Sequence, residues 1–418
     1  MSQIEDAWGA GPTDRYEELA SRFRPIFRDI RDSAVEREQT HRLPRAEIAA
    51  LKEAGFTTLR LPKDEGGFGA TLPELFNLLI ELSEADSNVT NALRAHFGFT
   101  EEVLNSPFKD YRDRWVKRIA AKETSGSGFT EGADNAVGHF NTRIVRDGDR
   151  LRLDGQKFYT TGSLFADWIN LGAEDEEGNF ILAQVPTGAP GVSIVDDWDG
   201  FGQQLTASGT AKFDNVTLSD DLINPQRKRF RYSVAFYQLV HLATLAGIGR
   251  AAAGDVARLV SVRKRVFSHG NADRAGADPQ ILQIVGKVRS SAYGAGAVVL
   301  KAAEALQRAY DTRERETSEG QDNSGQDLSV AVADLEVNQG VTVVTSLILD
   351  ATSHLFDALG ASSARRGVGL DRHWRNARTL SSHNPRVYRE RIVGDFAVNG
   401  TWPPGPYRVG DGNAAKAG

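Results

Sequence analysis

The sequence contains no cysteine among its 418 residues. Disulfide bonds, thiolate metal sites and a cysteine nucleophile are therefore excluded, although this absence identifies no cellular compartment. An excess of positive charge is also lacking, because the formal net charge is -6. Such a chain has no general electrostatic reason to bind nucleic acid or an anionic membrane surface. We expect an acidic enzyme with neither kind of partner.

Long apolar runs are missing as well. No stretch reaches the roughly 18 uninterrupted apolar residues of a membrane span. Glycine and arginine interrupt the alanine-rich run between Ala243 and Ala253. The segment from Met1 to Pro12 is polar and acidic, without the basic start and apolar run of a signal peptide. These features predict a cytoplasmic protein.

Common nucleotide-binding and metal-binding signatures are absent too. Neither a Walker phosphate loop nor a Rossmann glycine fingerprint occurs in a strand-to-helix context, so a nicotinamide site is not indicated. The eight histidines include no H-x-x-x-H pair with a supporting acid. The sequence therefore predicts no metal site.

Periodic apolar residues do divide the chain into three parts. The first third is helical, because residues such as Leu19, Phe23 and Ile26 recur at intervals of three and four. Short alternating runs between residues 142 and 220 are typical of β-strands, and the Asp154-Gly155 step between two of them predicts a tight hairpin. Helical periodicity returns from about Tyr232.

This pattern predicts a mainly α protein with a central β domain. The expected units are an N-terminal helical domain at 1–121, a middle β domain at 122–225 and a C-terminal helical bundle at 226–418. Within the bundle, the polar stretch 312–326 is expected to be an exposed connection. The last residues, 408–418, have no apolar anchor and are expected to form a flexible tail.

Three segments resemble the acyl-CoA dehydrogenase superfamily. They are IAALKEAGF followed by LPKDEGGFG within 48–69, KFYTTG at 157–162, and DRHWRNART at 371–379. The resemblance spans about Tyr16 to Pro404. It implies an N-terminal helical domain, a middle β-barrel and a C-terminal four-helix bundle, with a flavin beside the 157–162 strand. A homotetramer is implied as well.

One departure from the family is informative. Dehydrogenases of the family typically carry a catalytic glutamate just beyond the late helix, whereas this chain reads LSSHNP at 380–385. The block 371–385, and DDWDGFG at 196–202 followed by TASG at 206–209, are instead very similar to two-component monooxygenases represented by dibenzothiophene monooxygenase. This resemblance implies that a separate reductase supplies reduced flavin. Oxygen then adds to the flavin, and the hydroperoxide delivers one oxygen atom to the substrate.

The resemblance implies catalytic roles for two histidines. An imidazole at His383 titrates near neutrality and can hydrogen-bond a flavin peroxide or move a proton to or from it. The alternative is a helix-end histidine that caps backbone carbonyls. His96 corresponds to a histidine near the active site in the monooxygenase group, and the alternative is a satisfied core histidine.

Four residues of the β region are candidates for flavin contact. Ser127 and Thr130 lie in a small-residue loop whose hydroxyls can bond the flavin ring or a phosphate, although the loop could also be simply flexible. Thr161 belongs to the strand beside the flavin, or is an ordinary β-branched strand residue. Trp198 offers a large apolar surface to the flavin or substrate, or is a core tryptophan.

Arginines on the late helix are candidates for the flavin phosphate. Arg375 and Arg378 share a helical face, and a guanidinium there can hold a phosphate by paired hydrogen bonds. The alternative, for Arg378 above all, is an intersubunit salt bridge. Dehydrogenases that grip the adenine half of FAD usually have paired glycines where this chain reads LGASS at 359–363. FMN is therefore preferred, with FAD as the alternative.

The leading hypothesis is a reduced-FMN-dependent monooxygenase that acts on a small apolar or heteroaromatic compound. The resemblance makes an organosulfur substrate the best single guess. Two alternatives remain open: an acyl-CoA dehydrogenase with a relocated base, and a non-catalytic scaffold that keeps the helical bundle for assembly.

Overall fold

The computed structural model describes residue 3 and residues 5–132, 138–312 and 327–405. In its first third, short and medium helices pack together. They are α1 Tyr16–Ser21, α2 Arg24–Asp32, α3 Ala34–Thr40, α4 Arg45–Glu53, α5 Leu72–Ala85, α6 Ser87–Ala92, α7 Arg94–Leu104 and α8 Lys109–Ala120. The helical periodicity seen in the sequence is confirmed here.

Helix α5 begins with a capping box. The hydroxyl of Thr71 accepts a hydrogen bond from the Glu74 backbone, and the Glu74 carboxylate accepts one from the Thr71 backbone. Glu74 also binds the guanidinium of Arg15 at 2.7 Å, although its own side chain is fully buried. Burial opposes ionisation, but the bonds from Arg15, Thr13 and Thr71 lower the pKa of Glu74 to about 2. The start of α5 is thus tied to the chain that precedes α1.

We expect Glu74→Gln to lower the free energy of unfolding by on the order of 2 kcal/mol at pH 7. The folded pKa lies below the usual value, so this stabilisation is complete above pH 4.5 and is lost as the pH falls toward 2. Urea unfolding at pH 7 and at pH 3 measures the change, with the exposed Glu36→Gln as the control. An equal loss at both values would contradict the prediction.

A curled seven-stranded sheet forms the middle of the chain. Its strands are β1 Ser125–Gly128, β2 Arg143–Asp147, β3 Arg150–Lys157, β4 Trp168–Glu174, β5 Phe180–Pro186, β6 Val192–Val195 and β7 Thr210–Leu218. The order is β1-β4-β2-β3-β7-β6, with β5 paired to β4. Strand β4 runs parallel to β1 and β2, and the other pairs are antiparallel.

The hairpin predicted at Asp154-Gly155 is wrong. Both residues lie inside β3, where the register against β7 shifts between Leu153 and Gly155. Asp154 accepts a hydrogen bond from the backbone of Asn215 in β7 at 2.8 Å, and Gly155 has a φ of +145° that a side chain would disfavour. The Asp-Gly step therefore makes a β-bulge. The tight turn lies instead at the preceding Asp-Gly step, Asp147-Gly148, where Asp147 at the end of β2 pairs with Arg150 at the start of β3.

Helices return after the sheet. They are α9 Ser233–Ser261, α10 Pro279–Asp311, α11 Leu328–His354, α12 Asp371–Ser381 and α13 Val387–Asn399. Helices, a central sheet and then helices again follow one another in the order that the sequence predicted. The connection predicted at 312–326 falls almost wholly outside the described residues, and so does the tail at 408–418.

The largest core is shared between the first and last thirds of the chain. Apolar residues of α5 pack against those of α9, and α9 packs in turn against α10 and α11. The segment Leu328–Ala358 is long and apolar enough to cross a membrane by length and composition, but half of its most apolar window is buried inside the protein. Its packing against α9 and α10 is that of a core helix.

Candidate active site

Three of the residues predicted to contact a flavin lie together at one edge of the sheet. The backbone N–H of Ser127 donates to the carbonyl of Thr161 at 3.2 Å, and that of Phe158 donates to the carbonyl of Thr130 at 2.8 Å. The segment after β3 also passes close to α6, and this approach requires a glycine. A Cβ on Gly162, whose φ is +81°, would lie 2.0 Å from the carbonyl oxygen of Ala92 in α6.

A row of hydroxyl groups continues from Thr161. Its Oγ1 lies 2.7 Å from Ser208 Oγ, which in turn lies 2.7 Å from Thr206 Oγ1. Ala207 between them has a φ of +50°, an uncommon conformation for a residue with a side chain. The loop turns sharply there and keeps both hydroxyls beside Thr161. We call Thr161, Thr206 and Ser208 the hydroxyl row.

Trp198 stands beside the same edge. Its indole N–H donates to the carbonyl of Gly202 at 3.0 Å, and its ring meets the Tyr159 ring edge-on at 5.8 Å between centroids. Tyr159 has a φ of +54° and is 53% exposed. Trp198 itself is only partly buried. It is therefore a residue of this edge rather than of the central core.

Gln203 joins the loop after β6 to the helices on both sides. Its side chain is bonded to Asn91 at 3.1 Å and to Ser87 at 2.9 Å, both on α6. Its backbone N–H donates to Asn376 Oδ1 on α12 at 2.6 Å. Three elements therefore converge here: the hydroxyl-row loop, the α6–α7 junction and α12. This convergence positions the side chains that follow on α7 and α12.

His383 lies just beyond the end of α12. Its ring centroid is 4.3 Å from that of His241 on α9, and its Nε2 is 3.5 Å from an Nη of Arg94 on α7. The residue is exposed to solvent, whereas His241 is only 3% exposed. The ring contacts the side chains of neighbouring helices, and in the described chain no hydrogen bond joins its nitrogens to a helix-end carbonyl. This arrangement favours the functional interpretation over capping.

Electrostatics keep both imidazoles neutral. The helices packed around His383 desolvate its ring although the side chain remains accessible, and this desolvation, together with the positive charge of Arg94, lowers its pKa against a smaller opposing effect of Asn384. Burial also lowers the pKa of His241, and the neighbouring His383 and Arg94 add to that shift. Because a guanidinium only donates, Nε2 of His383 is the acceptor toward Arg94 and the ring proton is on Nδ1.

His96 does not reach this group. Its Nε2 donates to the carbonyl of Thr57 at 2.7 Å, and it is 1% exposed. Arg94 and His96 are two residues apart, so their side chains point about 200° apart around α7. Arg94 faces α9, and His96 faces the segment after α4. These contacts favour the core-histidine interpretation of His96.

The two arginines of α12 differ in their surroundings. Arg375 donates to Asp371 at 2.8 Å and to the Phe201 carbonyl at 2.9 Å, and pairs with Glu38 at 2.7 Å. These contacts occupy the Arg375 guanidinium and hold α12 against the loop after β6. They argue against a role of Arg375 in binding phosphate. Arg378 is exposed, and no ion pair links it to a carboxylate of the described chain.

Three residues of this region were missed from the sequence. Arg94, His241 and Tyr237 come together only because α7 and α9 pack against each other. The local signal is a polar side chain within an apolar run. Arg94 interrupts NALRAHFGF at 91–99, and His241 interrupts QLVHLATLAG at 238–247. Polar groups inside such runs are rarely placed by chance, since burying them is costly.

Both flanking parts of the chain match one family. The N-terminal domain of acyl-CoA dehydrogenases matches residues 13–123, and their C-terminal domain matches residues 239–385. Together these matches cover more than half of the chain, and the chain belongs to the acyl-CoA dehydrogenase superfamily.

Particular relatives narrow the comparison within that superfamily. The chain is 26% identical to the probable FMNH2-dependent monooxygenase SfnC of Pseudomonas putida, over 91% of this chain and 94% of that protein. It is 26% identical to a dibenzothiophene monooxygenase of Mycolicibacterium goodii, over 91% and 93%. TdsC of Paenibacillus sp. A11-2 in complex with FMN and indole superposes with a TM-score of 0.83 at 25% identity, over 94% of this chain and 99% of that one.

Proposed function

We propose that this protein is a reduced-FMN-dependent monooxygenase that inserts one oxygen atom from O2 into a small organosulfur or heteroaromatic compound. The observation that carries this is His383 at the end of α12, where the dehydrogenases have a carboxylate base. Two relatives that match nearly the whole chain, SfnC and the dibenzothiophene monooxygenase, are monooxygenases by name, which supports the same activity.

The residues at the sheet edge fit a flavin. Ser127, Thr130 and the hydroxyl row place hydroxyl groups at one edge of the sheet, and hydroxyls supply the donors and acceptors that the polar edge of an isoalloxazine requires. Buried Nε2 of His241 has no hydrogen-bond partner among the described residues. Trp198 contributes apolar surface that excludes water, and Arg378 offers a free guanidinium for the phosphate. FMN is preferred, and FAD is the alternative.

When bound, reduced flavin supplies two electrons for the activation of O2. His383 acts as a neutral imidazole whose Nε2 accepts from Arg94, which leaves the Nδ1–H group to donate a hydrogen bond to the reacting group. Arg94 fixes the tautomer by donating to Nε2, which makes it a positioning residue. His241 packs against the His383 ring, with the two centroids 4.3 Å apart, and limits its rotation.

The assembly, partners and location are also proposals. The reduced flavin comes from a separate flavin reductase, as in a two-component system. A homotetramer is supported by exposed apolar residues on the long helices, since such surfaces mark subunit contacts; these are Leu282, Tyr293 and Val343. We propose that the protein is cytoplasmic. We also propose that its domain boundaries lie at residues 121 and 225.

A dehydrogenase with a relocated base is the second candidate. Glu102 is 1% exposed, and burial raises the pKa of its carboxyl group, against smaller opposing effects of Asn224 and Arg229. It lies two helical turns from Arg94 on the same face of α7. A carboxylate of this kind could remove a proton from a substrate.

The experiment that separates the two combines the purified protein with FMN, a generic flavin reductase and a panel of organosulfur compounds. We expect oxygenated product that carries label from isotopically labelled O2. Acyl-CoA added to the flavin-loaded protein without reductase should leave the absorbance of the oxidised flavin unchanged. Bleaching by acyl-CoA, with no labelled product, would favour the dehydrogenase and overturn the proposal.

A further inference from the structure

Tyr237 of α9 lies beside the candidate catalytic histidine. It is one helical turn before His241, whose ring packs against that of His383. The guanidinium carbon of Arg94 is 5.4 Å from the centroid of the Tyr237 ring, and Arg94 also contacts Nε2 of His383. Tyr237 therefore belongs to the same group of packed side chains as His383.

A second contact joins Tyr237 to the edge of the sheet. The Arg229 guanidinium carbon is 4.9 Å from the centroid of the Tyr237 ring and 3.6 Å from that of Phe129. Phe129 directly precedes Thr130, which is a candidate for flavin contact. Tyr237 thus links the two halves of the candidate active site, the imidazole and the residues that fit a flavin.

The packing of α7 against α9 fixes the Tyr237 hydroxyl. A Cβ on Gly98 of α7 would lie 2.2 Å from the hydroxyl oxygen, so the ring lies against α7 only because that helix has glycine there. Arg94 and Glu102 are each four residues from Gly98 and share its face of α7. The hydroxyl therefore lies against α7 between a guanidinium and a carboxyl group.

The Tyr237 hydroxyl forms no hydrogen bond within the described residues. Tyrosine hydroxyls between packed helices usually have a partner. In this chain, Tyr16 donates to Glu81 at 2.9 Å and Tyr232 donates to Glu101. The half-buried Tyr237 differs from both. Its hydroxyl is a polar group that a ligand can bind.

The surroundings make this hydroxyl a donor. Desolvation between α7 and α9 raises the pKa of Tyr237 and Glu102 adds to the rise, whereas Arg229 and Arg94 oppose it. The hydroxyl therefore keeps its proton at neutral pH. Positive charge close to the ring favours a partner atom with a partial negative charge, such as a carbonyl oxygen.

A second polar side chain without a partner lies nearby. Asn170 of β4 is 1% exposed, and neither atom of its amide group forms a hydrogen bond in the described chain. Burial raises the pKa of Glu102, and Asn170 is close enough to oppose that rise. Asn170 is also paired in register with Ser127 of β1, another candidate for flavin contact. Burying an unpaired amide is costly, and a polar ligand would offset that cost.

We infer that Tyr237 is a substrate-binding residue whose hydroxyl donates a hydrogen bond to a carbonyl oxygen of the substrate, while the atom to be oxygenated lies at His383. This rests on the proposed function and names the substrate class: an organosulfur or heteroaromatic compound that also carries a neutral carbonyl group. A wholly apolar compound would leave the hydroxyl and the amide of Asn170 unpaired. Such a site discriminates against ligands that lack the polar group.

The test compares two cyclic sulfides that differ in one group. Thiochroman-4-one has a carbonyl group, and thiochroman has the same ring system without it. Binding to the flavin-loaded protein is measured by calorimetric titration. Turnover is measured with a flavin reductase and isotopically labelled O2. Sulfoxidation adds one oxygen atom of O2 to sulfur, and reduced FMN supplies the two electrons and two protons that convert the other atom to water.

We expect the parent protein to bind thiochroman-4-one about 10-fold more tightly than thiochroman, as one hydrogen bond would give. Tyr237→Phe removes only the hydroxyl and should abolish most of this preference, with binding of thiochroman little changed. Tyr388→Phe, at an exposed tyrosine of α13, is the matched control and should keep the preference. Thermal unfolding shows whether each variant is folded.

Three outcomes would overturn the inference: the parent binds both compounds equally, the preference persists in Tyr237→Phe, or that variant loses affinity for both compounds by the same factor. The last result would indicate a purely structural role. In each case labelled sulfoxide would leave the monooxygenase proposal standing. If neither compound is oxygenated but Tyr237→Phe still abolishes the preference in binding, the monooxygenase proposal fails and the binding role remains.

Discussion

The variant His383→Ala is expected to form oxygenated product about 100-fold more slowly, or slower still, because positioned acid–base groups contribute 100- to 10,000-fold. Consumption of O2 should continue, since the hydroxyl row and Arg378 do not depend on the imidazole. The missing product should instead be found as H2O2. Product formation and H2O2 are measured together in the presence of a flavin reductase.

Folding and FMN binding should be retained in this variant. His383 is exposed and follows the end of α12, so removing its ring leaves the helical core intact. His269→Ala, at an exposed site beyond α9, is the matched control and should keep the coupling of the parent. Unchanged coupling in His383→Ala would remove His383 from its role. A fall in O2 consumption equal to the fall in product would mean that the residue acts before oxygen reacts.

The order of elements could be predicted from the sequence because local patterns determine it. The periodic leucines of the first third and the glycine-bounded runs near β4 and β5 became helices and strands. Strand pairing was harder to predict. Asp154-Gly155 and Gly148-Asp149 give the same local turn signal, and only the register against β7 decides that one is a bulge. Tertiary pairing thus overrides a two-residue signal.

The candidate residues that the structure brings together are those close in sequence to a recognisable segment. Ser127, Thr130 and Thr161 do lie at one edge, because β1 and the chain after β3 are bonded to each other. The partners of His383 could not be predicted, since Arg94 and His241 are 289 and 142 residues away. His96 was included because it corresponds to a histidine near the active site in the monooxygenase group, but its side chain points away from that of Arg94 and bonds to the carbonyl of Thr57.

Buried neutral histidines should make the protein unstable in mild acid. His96, His241 and His373 are 1%, 3% and 4% exposed. Burial lowers the pKa of His96 to about 4, and burial together with Arg372 lowers that of His373 to about 4, although the bond to Asp255 opposes the shift. For His96 and His373, the unfolded chain takes up a proton below pH 6.5, whereas the folded chain does so only near pH 4. Stability therefore falls as the pH falls through this window, by up to about 3 kcal/mol for each of these two groups.

His96→Gln isolates one of these contributions. At pH 7.5 it should be less stable than the parent, because an amide replaces an imidazole fitted to the carbonyl of Thr57. Between pH 6.5 and 4 that difference should shrink, since glutamine takes up no proton in either state. Urea unfolding at several pH values measures it, with His354→Gln, whose side chain is 54% exposed, as the control. A difference that stays constant with pH would mean that folding does not shift the pKa of His96, and the lowered pKa inferred from its surroundings would be wrong.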